Sequence, residues 1–156
     1  MTFKRTIIAS VIIAATASFA FAGSHGGNPA VKARKAHMQL YAHNLGILGA
    51  MAKGETEYSA DAASAAANNL VALANMSGMS YWAPGTSNAE LGEETRALPA
   101  IWEAGSKAGE IAGQLREGAA ALAAVAGNGQ EALGPALGPV GGACAACHKD
   151  YRQSNN

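Results

Sequence analysis

The sequence predicts an all-helical fold, an antiparallel up-down-up-down four-helix bundle, on three observations. Beyond residue 22 the only Val and Ile residues are Val31, Val71, Val125, Val140, Ile47, Ile101 and Ile111, so strand formers are scarce while alanine, the best intrinsic helix former, is abundant. Glycine and proline divide the chain into four long segments with helical spacing. Three connections join them, two of them short, as an antiparallel bundle requires.

The first 22 residues stand apart. Lys4 and Arg5 precede an uncharged apolar run from Ile7 to Ala17, and Ala20-Phe21-Ala22 supplies small residues where a signal peptidase inspects the chain. Cleavage after Ala22 leaves a mature domain of residues 23–156, exported to a compartment where cysteines can be oxidised. No later stretch is long and apolar enough to insert in a membrane. Of 156 residues, 49% are hydrophobic and 14% charged, which suits one globular domain. Loss of Lys4 and Arg5 turns a formal net charge of 0 into −2, so nucleic-acid binding, which needs a basic face, is excluded as a function class.

Each segment has its own start and stop signals. Asn28 caps the first helix with Pro29 at its first position, and Lys53-Gly54 ends it. The second starts near Ser59, carries Asp61 in its first turn and ends around Ser77-Gly78. The stretch from Gly78 to Glu94 lacks helical periodicity and reads as an ordered loop, because its aromatics and methionine need packing partners. The third helix takes Pro99 in its first turn and sets Ile101, Ala104, Ala108, Ile111, Leu115, Gly118, Leu122 and Val125 on one seam, until Gly127-Asn128-Gly129. Pro135 and Pro139 interrupt the fourth segment, so its well-formed part is predicted from Pro139 to about Arg152.

The only two cysteines lie in Cys144-Ala145-Ala146-Cys147-His148, a CxxCH sequence that reads as a c-type haem attachment site. Thiols three residues apart on a helix face one side, so each can add to one vinyl group of a single haem. His148 shares that face and can turn its imidazole to the iron as the proximal axial ligand. Val140 and Tyr151 complete the apolar stripe around it. The competing readings are weaker. A disulfide here closes only a tiny loop, a thioredoxin-like pair expects a βαβ setting, and a structural zinc site wants a fourth ligand. Alanine-rich seams also bury little apolar area per residue, so one covalent haem c per chain fills the bundle centre.

The other face of the iron decides between electron transfer and gas binding. On the first helix Met38 shares a stripe with Arg34, Ala42, Leu45 and Gly49, the face read as turned to the core, and its thioether is a candidate distal axial ligand. His37 and His43 point off that stripe and read as surface or boundary residues, while His25 lies in the N-terminal tail. A second apolar strip of Leu40, Ile47 and Met51 faces away from Met38 and suggests a homodimer through helices one and two.

In CAACHKDYR (Cys144 to Arg152), in Ala33 to Glu55, and in the loop pieces Trp82 to Ser87 and Thr95 to Trp102, the chain resembles the class II c-type cytochromes, which include the cytochromes c prime. A CxxCH near the C-terminus is specific for that class, since other small c-type cytochromes carry it near the N-terminus. The resemblance implies a periplasmic four-helix bundle with covalent haem, often dimeric. It places the residue four after the helix-one arginine over the distal face: Leu, Phe or Tyr in the five-coordinate gas binders, methionine in a low-spin electron-carrying branch. Here that residue is Met38, after Arg34. By the same resemblance Arg34 and Lys35 lie near the haem propionates, Arg152 lies close to the proximal imidazole, and Trp82, Thr95 and Arg96 border the haem edge.

These readings converge on a periplasmic mono-haem cytochrome with six-coordinate His148/Met38 iron, passing single electrons between redox partner proteins and doing no chemistry on an organic substrate. The alternative is a five-coordinate cytochrome c prime that binds nitric oxide or carbon monoxide, with Met38 only lying nearby. A third reading is a haemless helical module with a CxxC disulfide.

Overall fold

The computed structural model describes residues 26–154. The predicted signal segment 1–22 and His25 lie outside the described residues. Four long helices, α1 (Pro29–Ala52), α2 (Ala60–Ala74), α4 (Ala108–Val125) and α5 (Gln130–Tyr151), form the bundle, and a one-turn helix α3 (Asn88–Leu91) sits in the long connection between α2 and α4. The sequence-predicted fold class is thus found. Helix α1 packs on α2, α2 on α4, α4 on α5 and α5 on α1.

The predicted caps form. The Asn28 side chain accepts from the Ala30 and Val31 amides, and that of Ser59 from the Ala62 amide. Tyr58 locks the bottom of the bundle, its hydroxyl donating to the Ala126 carbonyl at 2.9 Å and accepting from the Gly129 amide at 2.9 Å. The core between the helices is built on Leu48, Leu70, Leu122, Leu133 and Val140, all fully buried. Ile111, Ala143 and Tyr151 form a second, smaller cluster at the end that carries Cys147.

Three boundaries differ from the sequence reading. Helix α2 ends at Ala74, where the Asn75 amide closes the last turn, rather than at Ser77-Gly78. The third long helix begins at Ala108: Pro99–Ile101 is a separate 3-10 turn, and Gly105 at φ +85° breaks the chain after it, so exposed Ala104 is not on the seam. Helix α5 runs unbroken through Pro135 and Pro139. Each proline follows a glycine, Gly134 or Gly138, whose missing Cβ removes much of the clash that normally drives the residue before proline out of the helical region.

The buried face of α1 is also rotated from the predicted one. Val31, Arg34, His37, Tyr41, Asn44, Leu48 and Met51 point inward, Met38 and Leu45 flank them half-buried, and Ala42 is exposed. His37 is therefore a core residue, not a boundary one. Met51 is also core, at 6% exposure, so of the predicted second strip only Leu40, 51% exposed, stands well clear of the protein.

Candidate haem site

The last turns of α5 present Cys144, Cys147 and His148. Both cysteines are half-buried and form no disulfide with each other. Burial pushes both thiols above their ordinary value, the opposite of the lowered thiol that a redox pair needs. Among the described residues no three His, Cys, Asp or Glu side chains converge as metal ligands, so a structural zinc set is not assembled. Burial lowers the His148 imidazole, and the positive Arg152 and Arg96 lower it further. The ring is thereby kept neutral, the form in which it can ligate a metal. Two protonated thiols and one neutral imidazole on one helical face fit covalent haem chemistry.

Facing this turn from α1 is Tyr41, whose phenol burial pushes up to about 12, with Tyr81 and Cys144 adding to the shift. Tyr41 stacks tilted on His37 at 4.8 Å, and Tyr81 meets the same imidazole edge-on at 5.3 Å. His37 Nε2 lies 3.0 Å from the Leu73 carbonyl, while its buried Nδ1 has no partner. Met38 packs half-buried against the main core.

Arg34 is the most engaged of the predicted surround residues. Its guanidinium, 4% exposed, lies 4.8 Å from the Trp82 ring centroid and 6.0 Å from that of Trp102. Nη1 donates to the Tyr81 carbonyl at 3.3 Å and to Thr86 Oγ1 at 3.1 Å; Nη2 donates to the Thr86 carbonyl at 2.9 Å and to Thr95 Oγ1 at 2.8 Å. Arg34, Trp82 and Thr95 are thus brought together. Lys35 is exposed on the turn outside them, and Arg96 and Arg152 are exposed beside His148.

Sequence reasoning missed Tyr81, Thr86 and Trp102 in this group, along with the buried Ser87. Trp102 Nε1 donates to the Trp82 carbonyl at 2.8 Å. Ser87 and Glu90 form a capping box around α3. That Ser-x-x-Glu spacing is a readable signal; the contacts of Arg34 are not, since they join residues far apart in the chain.

A family model described as "Cytochrome C'" matches residues 29–152. The chain belongs to the cytochrome c' family. Two relatives from Cereibacter sphaeroides are cytochrome c-554, 40% identical over 125 residues (80% of this chain, 81% of that protein), and cytochrome c', 38% identical over 148 residues (95% of this chain, 97% of that protein). Among solved structures, the cytochrome c' of Rhodobacter Spheriodes is 42% identical with a TM-score of 0.76, covering 81% of this chain and 96% of that one. A cytochrome c' described by its unusual ligand-controlled dimer dissociation is 34% identical, TM-score 0.72, covering 80% and 95%. A nitric oxide complex of a mutant cytochrome c prime from Alcaligenes xylosoxidans is 28% identical, TM-score 0.69, covering 81% and 94%.

As a member of this family the chain is a haem protein that carries one covalently bound haem c. The matches correct the expected His148/Met38 six-coordinate electron carrier. The matched family, the relative that spans 95% of the chain, and the solved structures above are cytochromes c', which the resemblance associates with five-coordinate gas binding.

Proposed function

We propose that this cytochrome c' is a periplasmic, five-coordinate haem protein that binds diatomic gases such as nitric oxide and carbon monoxide, without chemistry on an organic substrate. Cys144 and Cys147 form the thioether links and His148 is the proximal ligand. The observation that carries the reading is one-sided donation: α5 presents both thiols and an imidazole held neutral, whereas Met38 on α1 packs half-buried against the core. In this reading Met38 is an apolar wall residue of the distal side, suited to a small uncharged ligand, and does not bind iron. The haem, when bound, would supply the iron chemistry that takes up a diatomic gas.

Export follows from cleavage after Ala22, which leaves residues 23–156; no described helix is long and apolar enough to cross a membrane. A homodimer through α1 and α2, with exposed Leu40 in its contact, is supported by the dimer of a 34% identical relative. Redox partner proteins would supply the electron that brings the bound haem to its reduced, carbon monoxide-binding form. Arg96 and Arg152 contribute positive charge beside His148, and Lys35 contributes it from the outer face of α1.

Visible spectroscopy of the reduced protein with and without carbon monoxide tests this reading. Prompt, complete uptake by wild-type protein is the expected result, and Met38→Ala alters its rate while leaving the resting spectrum unchanged. A low-spin spectrum that resists the gas, and yields to it in Met38→Ala, would overturn it.

A further inference from the structure

The connection between α2 and α4 is held to two helices of the bundle, α1 and α5, and the two attachments meet at Thr95. From α1, Arg34 Nη2 donates to Thr95 Oγ1 at 2.8 Å, and the same oxygen accepts from the Ala97 amide at 3.1 Å. Thr95 is 4% exposed. Ala97 then pairs antiparallel with Arg152, the Leu98 amide donates to the Tyr151 carbonyl at 3.0 Å, and the Gln153 amide donates to the Arg96 carbonyl at 2.8 Å. Tyr151, the last residue of α5, and Arg152, its extended C-cap, follow His148 by three and four residues, so this pairing holds the helical turn that carries the imidazole. Tyr151 is fixed again by its hydroxyl, which accepts from the Lys107 amide at 2.7 Å.

We propose that Arg34 and Thr95 are positioning residues for His148, acting through the Thr95 hydroxyl and the pairing of residues 96–98 with 151–153. The inference rests on His148 being the proximal ligand. The geometry distinguishes this role from simple charge pairing. Each Arg34 Nη makes two hydrogen bonds to the loop, and the guanidinium plane lies near two indole rings. Such a site uses the planar fork of arginine and not only its charge, so lysine cannot replace it. The side chain one turn before Met38 is thereby joined, through one hydroxyl and one short backbone pairing, to the proximal turn on the neighbouring helix α5.

The test uses the haem-loaded protein and the variants Thr95→Val, Thr95→Ser and Arg34→Lys, with two readouts: backbone amide exchange at Leu98 and Gln153, and the iron–histidine stretching band of the reduced protein. Thr95→Val should raise exchange at those two amides by roughly tenfold while the core amides of Leu70 and Leu122 keep their rates. It should also shift the band. Thr95→Ser restores both, and Arg34→Lys, which keeps the charge, behaves like Thr95→Val. Wild-type exchange in Thr95→Val, failure of serine to rescue, or wild-type behaviour of Arg34→Lys overturns the proposal. So does accelerated exchange with an unmoved band, which makes Thr95 a purely structural tether. Should Arg34→Lys fold poorly, the Thr95 pair decides alone. Absence of an iron–histidine band in wild-type protein refutes the ligand assignment itself, and the exchange data then still report the tether separately.

Discussion

Gly118 of α4 lies so close to Pro139 of α5 that a Cβ on the glycine would stand 3.3 Å from the proline's carbonyl carbon and Cβ, and 3.2 Å from the Val140 amide nitrogen. Backbone and a rigid proline ring, not a flexible side chain, fill that space, so any side chain at Gly118 has to push α4 and α5 apart. Gly118→Val is expected to cost about 1–3 kcal/mol through overpacking. Gly46, in the middle of α1, is the control: it is exposed, and a Cβ added there would meet nothing within 4 Å. There Gly46→Ala should stabilise by about 0.5–1 kcal/mol, because only the helix-propensity cost of glycine is removed. Urea unfolding of both variants checks the pair of opposite signs.

The same region shows what the sequence can and cannot reveal. Gly118 is legible as a seam position because its neighbours Ile111, Leu115 and Leu122 repeat at helical steps. The unbroken course of α5 is not, because proline reads as a breaker unless the glycine before each one is weighed. The spacing of Ile101 and Ala104 happens to continue the α4 seam across Gly105, which puts the predicted start of that helix too early, and periodicity does not register a positive φ. On α1 the inward face is misplaced because His37 reads as a surface or boundary residue and the polar Asn44 gives no hydrophobic signal of the core. Both are buried, and each finds a partner, the Leu73 carbonyl for His37 Nε2 and the Leu40 carbonyl for the Asn44 amide. Cys144, Cys147 and His148 stand out in the sequence because their spacing is local, and the structure keeps them together on the last turns of α5. The engagement of Arg34 with Thr86 and Thr95 depends on tertiary folding of the long connection and leaves no spacing rule.

His37 gives the fold an acid-sensitive point. Burial lowers its imidazole below the ordinary value of 6.5, only partly offset by the Leu73 carbonyl, and the groups that face it are the phenols Tyr41 and Tyr81 rather than a carboxylate. The buried Nδ1 has no acceptor for an added proton. The unfolded chain therefore takes up the proton first, and the contribution to stability is full above about pH 6.5 and falls as the pH drops below it. Urea unfolding at pH 5 and pH 7.5 should show this loss, and His37→Phe should flatten it while lowering stability at pH 7.5 by about 1 kcal/mol for the missing hydrogen bond.

Tyr41 sets the opposite limit. With its phenol raised to about 12 by burial and by the neighbouring Tyr81 and Cys144, the folded state holds its proton after the unfolded chain, ordinarily near 10, has lost it. Stability is complete below about pH 10 and declines as pH rises toward 12. Tyr41→Phe keeps the ring against His37 and should remove this part of the alkaline decline. An unchanged alkaline transition in Tyr41→Phe would count against the burial assigned to the hydroxyl.

The hydrophobic core offers a direct measure of how much the bundle depends on few large side chains. Leu122 is fully buried in a core that combines a few large side chains, Leu48, Leu70 and Leu133 among them, with the alanines Ala63, Ala66 and Ala67 of α2. Leu122→Ala should cost about 2–5 kcal/mol, the lost transfer free energy of the removed atoms plus that of the cavity left behind. Met79, 88% exposed, should change stability by less than about 0.5 kcal/mol when replaced by alanine.

Covalent attachment divides between two thiols, and their environments predict how it fails. Cys144 and Cys147 are both half-buried and both raised by burial, so each remains a protonated thiol near neutral pH. In the proposed function each forms its own thioether, and loss of one leaves the other. Cys144→Ala and Cys147→Ala should therefore each retain haem through acid-acetone extraction with one link in place, whereas the double variant should release it entirely. His148→Ala removes the imidazole but neither link, so it should keep the added mass of one haem while losing the iron–histidine band. Intact mass spectrometry and extraction of the four variants separate attachment from ligation. A double cysteine variant that still holds haem covalently would show that the links lie elsewhere in the chain.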